Sequence, residues 1–447
     1  MKNLFLILLA FVSAIVFSGC SQDAPLDEQT TPLTKQKESS CIRTTDEAAV
    51  LAIQAYKNFY GKEQASRASI SAVNVQSVEA LTSELQSRSI DISAPIDTCL
   101  YVVNYSNEAG FAIIAADKRI QPLLGISNRG TYNKACAQNH IDGLQIFLDF
   151  AMNYVLDEFK NDQTSSIRLI TNDEFYCEFK ETGKEDSSIY DELAQYKERE
   201  DTTWVIHIRR QINNAWNQIG AEGRLFSNQV AGCGTIAIAQ TLLYYKRPTL
   251  LSSSKSELSL FCNWDLLTSH NRYNGLSDNA YIKCGNDVES EHNQVATFCR
   301  IIGIEGNAKD STQGATSMSK DDIYNTIKKF LGSDFSISDW KDFDGRTKMS
   351  LGQLYIVVGT DRSKDIPASH AWICDGIKDF YLNHYIYVQS GNNNWKVTTT
   401  SAECKYVHFN WGWGGDSDGW YLSNVFRTSD GSFNFNSNVI SISVKKN

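Results

Sequence analysis

The chain's 447 residues are too many for one domain of ordinary size, and 42 Lys and Arg against 52 Asp and Glu give a formal charge of −10. With 42% apolar residues and no basic cluster, it is an acidic globular protein rather than a nucleic-acid binder, whose phosphate contacts need grouped Lys and Arg. Its 11 cysteines are widely spaced and never form C-x-x-C, which argues against a zinc site, a thioredoxin-like motif or a disulfide scaffold.

Residues 1–20, "MKNLFLILLAFVSAIVFSGC", place an apolar stretch after Lys2 and small residues directly before Cys20. This is the pattern of a bacterial lipoprotein signal, with Cys20 the expected lipidation site; an ordinary cleaved signal with an incidental cysteine is the other reading. No later stretch reaches the ~18 apolar residues needed to span a bilayer. The expectation is an exported protein of the cell envelope, outer-membrane or cell-surface anchored, that meets the membrane only through an N-terminal lipid. Residues 21–41 are polar with two prolines and read as a flexible tether.

Order begins at "TTDEAAVLAIQAYKNFYG", where Thr44 and Glu47 predict a capping box, Ala49, Ile53, Tyr56 and Tyr60 share a helical face, and Gly61 is the stop. "CLYVVNYSNEAGFAIIAADKRIQPLLGIS" predicts two β-rich runs around the turn "SNEAG", and "IDGLQIFLDFAMNYVLDEFK" returns to helical periodicity. Residues 42–183 thus form an α+β unit without convincing chemistry of its own. The charged "KEDSSIYDELAQYKERED" has no strong apolar face and reads as a solvated helix or linker, which sets a boundary at 184–203. Residues 204–447 predict a second α+β domain, with a buried helix after Cys233 and strands dominating after Leu351.

"VAGCGTIAIAQ" puts Cys233 at the start of an almost uncharged helix. A thiol there is either a small core residue or, facing the unpaired N–H groups of a first turn, a stabilised thiolate. His370 precedes a strongly apolar strand in "PASHAWICDGI", 137 residues after Cys233, near the interval of papain-like enzymes; it is a base or a satisfied edge histidine. His140, His207, His270, His292 and His384 read as surface residues. In "HFNWGWGG", Asn410 can accept from an imidazole and Trp411 can shield that bond, or the motif is an aromatic plug. His408 shares the strand face of Asn410. Gln218 in "NNAWNQIG" can supply a side-chain amide for an oxyanion beside the Cys233 N–H.

Together "QVAGCGTIAIAQTLLYY", "ASHAWICDGI" and "HFNWGWGGDSDGWYLSN" resemble the streptopain (streptococcal pyrogenic exotoxin B) family of papain-superfamily cysteine peptidases. "YVVNYSNEAGFAIIAADKRIQPLLGIS" looks like that family's prodomain, so the resemblance runs from residue 42 to the C-terminus. It implies an α+β prodomain followed by a papain-like domain of two subdomains, a helical part carrying the cysteine and an antiparallel sheet part carrying the histidine. It makes Cys233 the nucleophile, His370 the general base, Gln218 the oxyanion donor, and Asn410 with Trp411 the orienting and shielding pair. It implies protein or peptide substrates and the chain's own prodomain as inhibitor until proteolysis removes it; processing is expected near residues 195–212, and no metal or organic cofactor is implied. The chain departs from the family pattern in "IGAEGRLFSN" after Gln218, in Ser369 before the histidine, and in an apparent hairpin insertion between His370 and Asn410. Two alternatives remain open at this level: a binding module on an inactive peptidase scaffold, and a Cys–His amidase or transglutaminase.

Overall fold

Thr44 and Glu47 do close a reciprocal capping box: the Glu47 amide donates to Thr44 Oγ1 at 3.2 Å and the Thr44 amide to Glu47 Oε2 at 2.7 Å. The helix they start, α1 (Thr45–Tyr56), runs into a π turn over Lys57–Gly61. It buries Ala48, Leu51, Ala52, Ala55 and Tyr56; of the expected face, Tyr56 and Tyr60 are buried, whereas Ala49 and Ile53 are half-buried. The small alanines let it lie close on the strands beneath.

The computed structural model describes residues 42–61, 73–82, 98–133 except 119, 143–162, 196–310 except 279, 286 and 287, 316–340, 349, 351–361, 368–390, 394–426 and 437–447. The expected signal with Cys20, the tether, and 184–195 of the expected linker lie outside the described residues.

Four antiparallel strands follow α1: β1 (Val75–Leu81), β2 (Leu100–Tyr105), β3 (Phe111–Ala115) and β4 (Leu123–Ser127). The turn at "SNEAG" requires its glycine, because Gly110 has φ +93° and a Cβ there would stand 2.0 Å from the Ser127 oxygen. Helix α2 (Gly143–Asp162) completes the N-terminal unit.

In the C-terminal domain α3 (Cys233–Tyr245), α5 (Glu289–Glu305) and α6 (Lys320–Leu331) form the helical layer, with short α4 (Trp264–Ser269) between. Its strands are β5 (Tyr196–Ile208), β6 (Phe335–Trp340), β7 (Gln353–Asp361), β8 (Ala368–Ser390), β9 (Asn394–Asn410), β10 (Gly419–Leu422) and β11 (Ser437–Lys446). The mixed helix and sheet architecture is the expected one, with the cysteine on the helical part and the histidine on the antiparallel sheet.

Strand alternation assigns the two faces of that sheet. Ile356, Val358, Ala371 and Ile373 join the core around α3, α5 and α6, whereas Tyr355, Val357, Trp372 and Cys374 join a second core that includes α1, α2 and the N-terminal strands. One 11-stranded sheet crosses both parts in the order β1-β2-β3-β4-β10-β9-β8-β7-β11-β6, with β5 on β8. The junction is β4 against β10, where Ser127 faces Gly419 and Gly125 faces Tyr421.

Part of the expected linker is strand. β5 pairs with β8 from Tyr196 opposite Val388 to Ile208 opposite Ile377. Its charged sequence has no helical apolar face, and its partner is almost two hundred residues away. That partner belongs to the hairpin insertion expected between His370 and Asn410, which closes where Ser390 pairs with Asn394.

Candidate active site

Gly232 caps α3 with φ +85°, and a Cβ there would stand 2.4 Å from the Thr316 oxygen, so only glycine brings the chain into the helix at this angle. Cys233 follows as the first helical residue, part-exposed and a free thiol. Burial disfavours its thiolate, but the charge and hydrogen bond of His370 and the main-chain amides of Ala371 and Gly234 outweigh that, and the thiol pKa is lowered.

His370 lies on β8 opposite Gly359 and is buried. Its ring lies near-parallel to Trp372, 6.2 Å away, and to Trp413, 6.0 Å away. Nε2 is 3.0 Å from the main-chain oxygen of Trp411. A carbonyl only accepts, so Nε2 carries the proton there and Nδ1 is left for the thiol.

Asn410 and Trp411 are both buried beside this ring, but not in the arrangement expected. The ring's orienting contact runs to the Trp411 main chain. The Asn410 side chain instead donates to the Asn214 oxygen at 3.1 Å and accepts from the Gly412 amide at 3.1 Å, bracing the turn. Trp411 presents its ring 6.4 Å from His370 and donates from its indole to the Ser417 oxygen at 3.0 Å. Its amide donates to Asp418 Oδ1 at 2.9 Å, and Tyr273 donates to Asp418 Oδ2 at 2.7 Å. Burial pushes the Asp418 carboxyl up to about 6, partly countered by His408 and these donors.

Gln218 is buried, and its Nε2 finds no hydrogen-bond partner among the described residues. Its carbonyl accepts from the Ala231 amide at 2.7 Å, tying the turn to the strand of chain two residues before Cys233. A buried amide donor without a partner costs on the order of 1–3 kcal/mol, a cost a binding site recovers when a ligand oxygen arrives.

Two histidines read as surface or unassigned turn out otherwise. His270 is buried between Glu222 and Glu291, three residues whose linear separation offers no signal. His408 is buried and meets Asp375 Oδ1 at 2.6 Å, while Asp375 Oδ2 accepts from the amides of Gln211 and Ile212. His207 is exposed and His292 half-buried; His140 and the His384 side chain lie outside the described residues. Among the described residues there is no group of three or more His, Cys, Asp or Glu placed to hold a metal, and no helix long and apolar enough to cross a membrane.

Residues 211–421 match the Peptidase C10 family, and residues 43–155 match the Spi protease inhibitor family. Along the chain, a region similar to the Peptidase C10 family thus follows a region similar to the Spi protease inhibitor family. A similar curated protein is the thiol protease/hemagglutinin PrtT of Porphyromonas gingivalis, 22% identical over 397 aligned positions, with 84% of this chain and 38% of that one covered. The chain therefore spans less than half the length of this relative. A solved fragment of prointerpain A from Prevotella intermedia matches 81% of the chain and 97% of the fragment, at 17% identity and a TM-score of 0.47.

The inhibitor domain reaches the site itself. Gly143, the first residue of α2, lies so close that a Cβ there would stand 2.1 Å from the Trp411 ring and 2.7 Å from His370 Cδ2.

Proposed function

We propose that the protein is an exported cysteine endopeptidase of streptopain type, made as a zymogen. The observation that carries this reading is the part-exposed Cys233 at a helix N-terminus, hydrogen-bonded to His370, whose other ring nitrogen is held by Trp411. In the proposed reaction the thiolate attacks a peptide carbonyl, and the oxyanion takes hydrogen bonds from Gln218 Nε2 and the Cys233 N–H. His370 then protonates the leaving amine, and water releases the acyl-enzyme. Asn410 and Trp411 hold and cover the turn that fixes the histidine.

Latency follows from packing. The inhibitor domain extends the peptidase sheet through β4, shares its core, and sets Gly143 against His370 and Trp411. Because β5 is paired to β8, a cut before Tyr196 leaves that strand on the mature domain, while a cut within it requires the strand to peel away. We place processing before Tyr196, upstream of most of the region expected from sequence. The sequence of residues 1–20 supports export and lipidation at Cys20; a Cys20→Ser chain should lose incorporation of labelled fatty acid, and unchanged incorporation would exclude this site.

The deciding experiment compares residues 21–447 with the Cys233→Ala variant under reducing conditions, following chain mass and labelling by a peptide-like thiol probe. Wild type alone should be labelled and shed its first ~170–200 residues. If a chain trimmed by an outside protease stays unlabelled and inactive, the nucleophile reading fails.

A further inference from the structure

The turn that carries Gln218 is held from behind by a buried charged cluster. His270, at the end of α4, places Nδ1 2.8 Å from Glu291 Oε1 and Nε2 3.4 Å from Glu222 Oε1. Glu222 and Glu291 are 1% and 0% exposed. The same Glu222 Oε1 accepts the main-chain N–H of Asn217 at 3.0 Å, and Asn217 Oδ1 accepts the N–H of Gln218 at 2.7 Å. A continuous chain of contacts thus runs from the first turn of α5 through His270, Glu222 and Asn217 to Gln218.

A protonated His270 can donate from both ring nitrogens at once, one toward each glutamate. Burial alone would lower the His270 pKa; hydrogen bonds and charge from Glu222 and Glu291 more than offset it, and the net direction is upward. The turn itself is tight, since a Cβ on Gly223 would stand 2.1 Å from the Gln229 oxygen and 2.9 Å from the Gln218 oxygen. The indole of Trp216 also donates to the His270 oxygen at 3.0 Å, so side chain and main chain of His270 both anchor the segment.

We infer that Glu222, His270 and Glu291 form a positioning cluster for the oxyanion donor, fixing the 217–222 turn so that the Gln218 amide stays where charge develops on the attacked carbonyl. This rests on the reading of Gln218 as that donor. None of the three would touch substrate.

The test uses the full chain, activated by limited proteolysis where it does not process itself, and compares wild type with Glu222→Ala, Glu222→Gln and Asn217→Ala. Two quantities are read: kcat and KM on a peptide amide, and the rate of Cys233 alkylation by iodoacetamide, which needs the thiolate but no oxyanion hole. Glu222→Ala should lower kcat about 10- to 100-fold with KM within about twofold, since a misplaced donor loses much of what a deleted one does. Alkylation should be unchanged. Glu222→Gln keeps an acceptor for the Asn217 amide and should recover most of kcat. Asn217→Ala, the milder change should Glu222→Ala not fold, should show the same split at smaller size. An unchanged kcat, a parallel fall in kcat and alkylation, or a Glu222→Gln as poor as Glu222→Ala would each overturn the inference. A wild type whose Cys233 resists alkylation would instead sink the nucleophile reading, and this inference with it.

Discussion

His370 Nε2 lies 3.0 Å from the main-chain oxygen of Trp411, so the acceptor that orients the ring is one that no side-chain substitution deletes. The neighbouring Asn410 acts one step back, through its bonds to Asn214 and Gly412. Asn410→Ala should therefore lower kcat/KM by less than about tenfold, the effect of loosening a turn by roughly one neutral hydrogen bond of about 1 kcal/mol. His370→Ala, measured in the same assay, should abolish turnover. A loss of several hundredfold in Asn410→Ala would return the orienting role to its side chain.

Gln218 Nε2 waits in the folded chain without a described partner. Gln218→Ala should lower kcat by about 10²–10³ while leaving the alkylation rate of Cys233 close to wild type. Loss of both together would mean that Gln218 supports the fold around the thiol rather than the transition state.

At Gly143 there is no room for a side chain between α2 and the Trp411 and His370 rings. Gly143→Leu must push the inhibitor domain off the site, so the lag before activity appears should shorten. The fully processed enzyme, which no longer carries residue 143, should keep wild-type kcat/KM. Progress curves from freshly purified zymogen check this, and an unaltered lag would show that the contact does not contribute to latency.

Asp418 gives a pH signature. Its carboxyl rises from 3.8 to about 6 on folding, chiefly through burial, so the folded state holds the proton more tightly than the unfolded chain. The stability this contributes is complete below pH 3.8 and is lost as pH rises through about 6, a span of about two pH units and on the order of 3 kcal/mol. Denaturant unfolding of the inactive Cys233→Ala chain should show that loss between pH 4 and 7. Asp418→Asn, made in the same background, should be flatter over that range. Identical pH profiles for the two chains would remove Asp418 from the account.

What the sequence determined is what lies in continuous stretches. The capping box at Thr44, the apolar helix entered through Gly232, and the β-rich runs after Leu351 follow from spacing and residue type alone, because each is fixed by neighbours within a few positions. Local signals also singled out Cys233, His370 and the Asn410–Trp411 turn, whereas Gln218 stands out only through its place in the order Gln, Cys, His, Asn-Trp along the domain.

Tertiary structure alone decided the rest, for the reason that its partners are far apart along the chain. The charged stretch before Trp204 becomes a strand only because β8 offers it an edge. His270 is buried only because Glu222 and Glu291 arrive from two other segments to balance it. The ring of His370 is oriented by a main-chain oxygen, and main-chain groups are present at every residue, so nothing in the letters singles out this one. The sheet shared by inhibitor and peptidase domains likewise depends on hydrogen bonds between Leu123–Ser127 and Gly419–Leu422, which any two extended segments can make and only the folded chain selects.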